Sequence, residues 1–344
     1  MTEARGQGGA RRGRGGSAGA AARPDKDACL PPQAPPAGGQ EGARAVRLVR
    51  FQHPGRSGPS LGVVPEGEDR VRDLTAVGWG DSPLPLLRRL RADPERAREE
   101  LAAEAARAPA PATLEELEAS GALLPPAECP EVWAAGVTYE RSRQARDRET
   151  SARDAGGTPY DRVYEAERPE LFFKATAYRV RPSGATVGLR RDSRWQVPEP
   201  ELALVLDEDG TVLGFTLGND MSSRDIEGEN PLYLPQAKIF RNACAVGPAV
   251  VPAPWAPAEG WPLTCRVLRA GRPVWSGETH TRLMRRSFAT LVAYLLRHNW
   301  LPPGSVLLTG TGIVPPDEFT LEPGDVVEIA SPRIGTLRNT CAWA

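Results

Sequence analysis

Several features that mark common protein classes are absent from this 344-residue sequence. Its five cysteines are scattered and form no C-x-x-C pair, which argues against zinc ribbons and dithiol redox motifs. No stretch approaches the ~20 apolar residues of a membrane helix, and the first residues lack the apolar core of a secretory signal. A Walker loop and a G-x-G-x-x-G helix start are also missing, so nucleotide binding has no support. Because 43 basic and 44 acidic side chains nearly cancel, we expect binding to neither nucleic acid nor membrane. The scattered cysteines are read as free thiols of a reducing compartment, so we expect a cytoplasmic protein.

The first 43 residues differ in composition from the rest of the chain. They are rich in Gly, Ala, Arg and Pro and nearly free of aliphatic side chains. Such a segment buries too little apolar surface to offset its ordering entropy, so residues 1–43 are predicted to be a disordered tail. The Arg-Gly segment at 11–16 would suit contact with RNA. We favour the simpler interpretation, a solvated extension.

Two folded parts are predicted after the tail. Residues 44–126 form a small N-terminal α+β domain, and a Pro-rich stretch at 123–130 marks its end, so that residues 127–344 form the second domain. The elements predicted for the first domain are a strand over 45–51, a helix over 84–106 and a short helix from Thr113.

The second domain is rich in short β-type segments separated by Gly and Pro turns. One clear helix, over residues 287–296, interrupts them. The pattern predicts a β-dominated α+β fold and not an alternating β-α-β fold. The predicted strands are residues 132–137, 171–175, 202–206, 212–217, 246–251, 263–268, 305–308 and 326–329.

Two glutamates bracketed by prolines begin the most informative stretch. Glu199 and Glu201 lie two positions apart in Pro198-Glu199-Pro200-Glu201, ahead of an apolar strand. Proline favours extended backbone, so both side chains point to the same face, with Cα atoms ~6.6 Å apart. Two carboxylates can therefore converge on one ion.

A hairpin is predicted to add a third carboxylate. The Asp-Gly pair at 209–210 is a strong turn signal, and a two-residue loop there pairs Glu208 with Thr211. The same register sets Glu199 opposite Asp220, and directly opposed residues share a face. A slip of one residue would send Asp220 to the other face, so this prediction depends on the turn.

Three clustered carboxylates repel one another unless a cation lies between them. Because the three ligands offer only oxygen, they favour Mg²⁺, with Mn²⁺ or Ca²⁺ as substitutes. The alternative is that Glu199, Glu201 and Asp220 belong to the solvent face of an amphipathic strand. The flanking prolines and the matched register favour the metal site.

Further polar residues accompany this stretch. Lys238 and Arg224 follow the hairpin, and each is also explained by an ordinary solvated or ion-paired side chain. Lys174 ends an apolar strand, where a charge is unexpected. Thr311 lies in Thr-Gly-Thr-Gly after another apolar strand, where amides and hydroxyls suit a carboxylate or form only a tight turn.

Taken together, these residues resemble the fumarylacetoacetate hydrolase superfamily over about residues 131–338. The resemblance implies a distorted mixed β-roll, usually a homodimer, that acts on 2-oxo or 1,3-dioxo acids. It also implies metal ligation by Glu199, Glu201 and Asp220, with Lys238 and Arg224 beside the metal. The motifs that carry it are residues 136–139, Phe173-Lys174, Glu199-Pro200-Glu201, Asp220 with 222–225, Lys238 and 309–311.

The run 229–238, residues 136–142 and the N-terminal domain resemble family members that dehydrate 2-keto-3-deoxy-pentonates. Family members that hydrolyse C–C bonds usually have a water-activating histidine where this chain has Ser142. The three histidines, His53, His280 and His298, are read as structural or exposed. Without a positioned imidazole, activation of water lacks its usual agent, and a dehydratase does not need that water.

The resemblance implies a mechanism through a metal-stabilised enolate of the 2-oxo acid. Lys238 is the predicted base for the C3 proton, and Lys174 is the second choice. Water then leaves from C4, and the product tautomerises to 2,5-dioxopentanoate. Substrate contacts are assigned to Arg224, Thr311, Tyr139 and Ser142. The segment 140–160 is either a lid that orders on binding or an ordinary surface helix and loop.

Three alternatives stay open at this point. One is hydrolysis of an acylpyruvate or fumarylacetoacetate, with Glu149 in place of the missing histidine. Another is a different reaction of the same enolate, such as decarboxylation or isomerisation. The third is a non-catalytic protein whose Arg-Gly tail binds RNA.

Overall fold

The computed structural model describes residues 46–65, 67–149 and 158–344. The predicted tail over 1–43 lies outside these residues. The described residues belong to one compact unit. The division into domains at residue 127 stays a prediction.

Strands dominate the described part of the chain, as predicted. In order they are β1 Arg47–Gln52, β2 Pro59–Val64, β3 Arg70–Asp73, β4 Ala112–Thr113, β5 Leu123–Leu124, β6 Glu131–Gly136, β7 Glu170–Thr176, β8 Val180–Arg181, β9 Thr186–Leu189, β10 Gln196–Val197, β11 Pro200–Leu206, β12 Val212–Asp220, β13 Ser222–Ser223, β14 Cys244–Pro252, β15 Pro262–Arg269, β16 Arg272–His280, β17 Ser305–Leu308, β18 Val326–Ser331 and β19 Gly335–Trp343. The eight strands predicted for the second domain are confirmed, and so is the α+β class.

The α-helices are short, and most lie between the strands of the first half of the chain. They are α1 Leu84–Ala92, α2 Pro94–Arg107, α3 Leu114–Ala119, α4 Glu140–Glu149, α5 Pro159–Glu165, α6 Arg224–Glu229, α7 Leu234–Lys238 and α8 Phe288–Leu295. Among the described residues, no helix is both long and apolar enough to cross a bilayer.

The single helix predicted over 84–106 is wrong, because the structure has two helices there. Asp93 leaves the helical region with φ −142° and ψ 84°, and its side chain caps α2 by accepting from the Arg96 amide. Pro94 has no N–H to donate and would clash with the preceding turn. The Asp93-Pro94 pair in the sequence therefore indicates the break between α1 and α2.

Two larger sheets build the fold. The main path of the first runs β4-β3-β2-β1-β14-β12-β11-β17-β6-β7, with β5 beside β1 and β8 beside β14. The second has the order β16-β15-β18-β19-β9. Residues of both sheets share one apolar core, which explains why β11 and β14 are buried along their whole length.

Four adjacent strands of the first sheet, β11, β17, β6 and β7, bring strand ends together along one edge of the sheet, the edge that runs across the strand ends. β17 and β6 run parallel, and β11 and β7 run antiparallel to their neighbours β17 and β6. The carboxyl ends of β6 and β17 therefore lie beside the amino ends of β7 and β11. This edge carries most of the polar residues singled out above.

Candidate metal centre and active site

The hairpin of β11 and β12 has the predicted register beside the acidic residues. Glu201 pairs with Gly218, and Ala203 pairs with Thr216. The amide of Asp220 donates to the carbonyl of Glu199 at 3.0 Å, which continues the same ladder. The register prediction is confirmed, and Glu199 and Asp220 lie opposite each other.

The predicted turn itself is wrong. Asp207, and not Glu208, faces Thr211, with its amide donating to the Thr211 carbonyl at 2.9 Å. The loop therefore has three residues, 208–210, and ends at Gly210 with φ +82°. A bulge at Leu213 adds one residue to β12 and restores the predicted pairing. The longer loop and the bulge shift the register by one residue in opposite directions, so the pairing beside the acidic residues is the predicted one.

One oxygen from each of Glu199, Glu201 and Asp220 lies within 4.8 Å of the other two. The three residues are buried, with exposures of 4%, 1% and 1%. Burial, and then the charges of Asp220 and Glu199, raise the pKa of the Glu201 carboxyl well above its ordinary value. Three buried oxygen donors this close together fit a hard divalent cation.

Lys238, at the end of α7, contacts two of these carboxylates. Its ammonium donates to Glu199 Oε2 at 2.6 Å, to Asp220 Oδ2 at 3.2 Å and to Ser222 Oγ at 2.6 Å. The side chain is buried. Lys238 thus lies beside the candidate metal ligands, as predicted from the resemblance.

Lys174 contacts the other carboxylate oxygen of Asp220. Its Nζ is 2.5 Å from Asp220 Oδ1 and donates to the carbonyls of Met221 at 3.0 Å and Lys238 at 2.5 Å. It is fully buried. Lys174 therefore contacts Asp220 through the carboxylate oxygen that Lys238 does not contact.

The remaining outer contacts hold the two glutamates. Arg224 Nη2 lies 3.0 Å from Glu199 Oε1, and the Gly310 amide donates to Glu201 Oε2 at 2.5 Å. Gly310 has φ +92°, and a Cβ there would lie 2.0 Å from Thr138 Oγ1, so only glycine fits. The Thr-Gly-Thr loop thus presents an amide to a candidate ligand.

Two of the predicted substrate-contact residues, Ser142 and Thr311, make hydrogen bonds within the protein and line a pocket. Ser142 Oγ donates to the Tyr139 carbonyl at 2.7 Å, and Thr311 Oγ accepts from the Ile313 amide at 3.1 Å. Burial, and then the charge of Glu201, raise the pKa of Tyr139. Ser142 and Thr311 line the pocket described next, whereas Tyr139 does not.

A small cavity of about 10 Å³ opens at this edge of the sheet. Its lining contains two carboxylates that sequence reasoning missed, Glu170 at the start of β7 and Glu227 in α6. Glu170 pairs with Gly136, so its position follows from the β6–β7 register and not from any local motif. The lining residues are Ala135, Gly136, Val137, Ser142, Glu170, Phe172, Glu199, Arg224, Glu227, Lys238 and Thr311.

The histidines lie away from this pocket. His53 Nδ1 accepts from the Gly55 amide, and His280 Nδ1 accepts from the Arg282 amide. His298 has φ +56° after α8. Glu149, the alternative base, ends α4, and its side chain lies outside the described residues.

Comparison with known proteins agrees with this architecture. The sequence matches the family described as "Fumarylacetoacetate (FAA) hydrolase C-terminal" over residues 132–342. It is 48% identical over 216 residues to a "Probable 2-keto-3-deoxyxylonate dehydratase" of Haloferax volcanii, covering 62% of this chain and 73% of the relative. It is 44% identical over 217 residues to a "2-dehydro-3-deoxy-D-arabinonate dehydratase" of Saccharolobus solfataricus, covering 62% and 72%.

A solved structure is similar over most of its length. It is titled "2-keto-3-deoxy-D-arabinonate dehydratase complexed with magnesium and 2,5-dioxopentanoate" and is 33% identical, with a TM-score of 0.72. The similarity covers 88% of this chain and 99% of that chain. The chain belongs to the fumarylacetoacetate hydrolase family.

Proposed function

We propose that this protein dehydrates a 2-keto-3-deoxy-pentonate to 2,5-dioxopentanoate with the help of a bound Mg²⁺. The observation that carries the proposal is the buried cluster of Glu199, Glu201 and Asp220 beside a pocket. Similarity to relatives named as dehydratases of such acids, one of them solved with magnesium, supports the choice of reaction.

Charge at the site also supports a divalent ion. The pocket and its metal cluster contain five carboxylates, those of Glu199, Glu201, Asp220, Glu170 and Glu227. Three cations contact carboxylates of the cluster, namely Lys174, Lys238 and Arg224. With two positive charges, Mg²⁺ offsets this difference. When bound, it supplies a Lewis acid that polarises the 2-oxo group of the substrate.

The chain's own residues bind and orient the rest of the substrate. Arg224, Thr311 and Ser142 line the pocket, and the Arg224 guanidinium is a donor suited to a substrate carboxylate. The hydroxyls of Ser142 and Thr311 donate to the carbonyls of Tyr139 and Ile313, so they must turn to donate to the substrate. Glu170 and Glu227 are suited to accept from its hydroxyl groups. A five-carbon acid needs far more room than 10 Å³, so side chains around the pocket must move when it binds.

In the dehydration a base removes one proton from C3, and the C4 hydroxyl takes up a proton and leaves as water. The resulting unsaturated 2-oxo acid tautomerises to 2,5-dioxopentanoate. Of the two predicted bases, Lys238 lines the pocket and Lys174 does not, so we keep Lys238 as the proposed base. To act, its ammonium must first give up a proton and one of its contacts with Glu199, Asp220 or Ser222. Glu170 is a second candidate, because its carboxyl lies in the same lining.

A substrate panel tests the proposed function. Purified protein and Mg²⁺ are incubated with 2-keto-3-deoxy sugar acids and with acylpyruvates, and the products are identified by mass spectrometry. We expect 2,5-dioxopentanoate from a 2-keto-3-deoxy-pentonate. Pyruvate released from an acylpyruvate, without dehydration of the sugar acids, would instead show the C–C hydrolase.

We also propose a homodimer in the cytoplasm, as the resemblance and the composition predict. Size-exclusion chromatography with light scattering measures the mass of the particle, and a mass of one chain would contradict the dimer.

A further inference from the structure

Lysine is very rare in this protein. The sequence contains three lysines and 40 arginines. Lys26 lies outside the described residues, and the other two, Lys174 and Lys238, both contact Asp220. A chain that uses arginine almost everywhere else has lysine at both of these positions. Both lysines of the part of the chain that the structure describes therefore meet at one carboxylate.

The contacts of Lys174 suit an ammonium better than a guanidinium. One nitrogen contacts three oxygens, those of Met221, Lys238 and Asp220, at 3.0, 2.5 and 2.5 Å. The contacts with the Met221 and Lys238 carbonyls are hydrogen bonds, and the contact with Asp220 Oδ1 is an ion pair. A compact ammonium can meet three oxygens from a single atom, whereas a guanidinium is a planar fork that spreads its donors over three nitrogens. Arginine is also longer, and this position is fully buried.

The backbone at Lys174 is arranged to aim its side chain. Val132 of β6 pairs with Ala175, and the next residue, Trp133, pairs with Phe173. Lys174 is therefore the extra residue of a β-bulge, a feature that redirects a side chain relative to its strand. Without the bulge, the alternation of β7 would carry the ammonium elsewhere.

Lys174 acts on Asp220 from outside the pocket. It contacts Oδ1, while Oδ2 of the same carboxyl lies 3.2 Å from Lys238 on the pocket side. Lys174 itself does not line the pocket. Lys174 and Lys238 thus contact different oxygens of the same carboxyl group.

We propose that Lys174 is a positioning residue that orients Asp220 for cation binding, and that only an ammonium performs this role. This inference rests on the proposed function in one respect, since it takes Asp220 to be a ligand of Mg²⁺. It replaces the earlier assignment of Lys174 as a second-choice base.

The test is Mg²⁺ affinity of the K174R variant, measured by isothermal titration calorimetry after chelation and dialysis. K174R keeps the positive charge and loses the single-point donor, so it isolates orientation. We expect Mg²⁺ to bind about 10–100-fold more weakly than to wild type. Most of the turnover should return at saturating Mg²⁺. Loss of a base would instead lower turnover by ~10²–10⁴-fold at every Mg²⁺ concentration.

A neutral variant gives a second test if K174R does not fold. K174M removes a charge that repels Mg²⁺, and this change alone would tighten binding. Weaker binding by K174M therefore reports lost orientation. Arg266→Lys, on the second sheet, is the control and should bind Mg²⁺ like wild type. Wild-type affinity in K174R, or tighter binding in K174M, would overturn the proposal. If wild type binds Mg²⁺ but forms no product, the proposed function fails while this test remains valid.

Discussion

Two clusters of charged side chains use the same residue types in different surroundings. In the candidate metal centre, Glu199, Glu201 and Asp220 are buried together with their basic partners. On the second sheet, Glu328 is also buried, but its partners Arg266 and Arg338 are 54% and 44% exposed. The first cluster places carboxylates against one another, and the second places one carboxylate between two arginines.

The different surroundings shift the pKa values of Glu328 and Glu201 in opposite directions. Burial tends to raise the pKa of Glu328, but hydrogen bonds from Arg266 and Arg338 outweigh it and hold the pKa below its ordinary value. For Glu201, burial and the charges of Asp220 and Glu199 act in the same direction and raise the pKa. The cluster around Glu328 is therefore balanced by its own arginines, whereas the carboxylates of the candidate metal centre favour an additional cation.

The largest expected effect comes from removing a candidate ligand. Glu201→Gln keeps the size of the side chain but removes a charge from the metal centre, so Mg²⁺ binding should be lost and dehydration should fall to background. Calorimetry and product assays measure both. The matched control is Glu328→Gln, which should retain wild-type Mg²⁺ affinity and turnover. Equal losses in the two variants would erase the distinction between the clusters.

Lys238 should have the next largest effect. Lys238→Met removes the proposed base, and turnover should fall by ~10²–10⁴-fold. The metal content, measured by atomic emission, should stay at the wild-type level. Glu170→Gln, made in parallel, identifies the competing base. A wild-type rate in Lys238→Met together with a large loss in Glu170→Gln would transfer the role to Glu170.

The pH dependence of stability should have opposite signs in the two clusters. A raised pKa means that folding favours neutral Glu201, so stability in EDTA should decrease as pH rises above the ordinary glutamate pKa of ~4.3. Glu328 has a lowered pKa, so its contribution is present above that value and is lost as pH falls through the lowered pKa. Urea unfolding of wild type, Glu201→Gln and Glu328→Gln at several pH values measures both slopes.

Added Mg²⁺ should reverse the loss of stability that rising pH causes through Glu201. Because protonated Glu201 is a poor ligand, the increase in melting temperature on adding Mg²⁺ should grow as pH rises. A shift that is independent of pH would show that Glu201 does not exchange a proton for the metal.

The smallest expected effect concerns the exposed arginine of the second cluster. Arg266→Ala should lower the free energy of unfolding by no more than ~1 kcal/mol, because such partly exposed ion pairs are screened by solvent. Turnover should not change. Urea unfolding and the product assay check these expectations, and a large loss of turnover would link the second sheet to the active site.

The hairpin could be predicted from the sequence because side chains alternate along strands and one register sets every pair. The prediction of Asp220 opposite Glu199 held although the turn was wrong, since the bulge at Leu213 offset the longer loop. That agreement was partly fortunate. A bulge has no reliable sequence pattern, and an uncompensated shift would have placed Asp220 on the other face.

The residues around the pocket were harder to predict. Helices α5, α6 and α7 have seven, six and five residues, too few for the periodicity of a helix to show. Glu170 and Glu227 enter the pocket through contacts between elements far apart in sequence, and no local spacing indicates this. The family resemblance identified Lys174 as important, but only the contacts showed that it binds Asp220 Oδ1 without lining the pocket.

The most direct test is to titrate Mg²⁺ into exhaustively chelated protein while dehydration of a 2-keto-3-deoxy-pentonate is measured. We predict no activity before addition and full activity with one Mg²⁺ bound per chain. Undiminished activity in the chelated protein would contradict a functional metal at Glu199, Glu201 and Asp220.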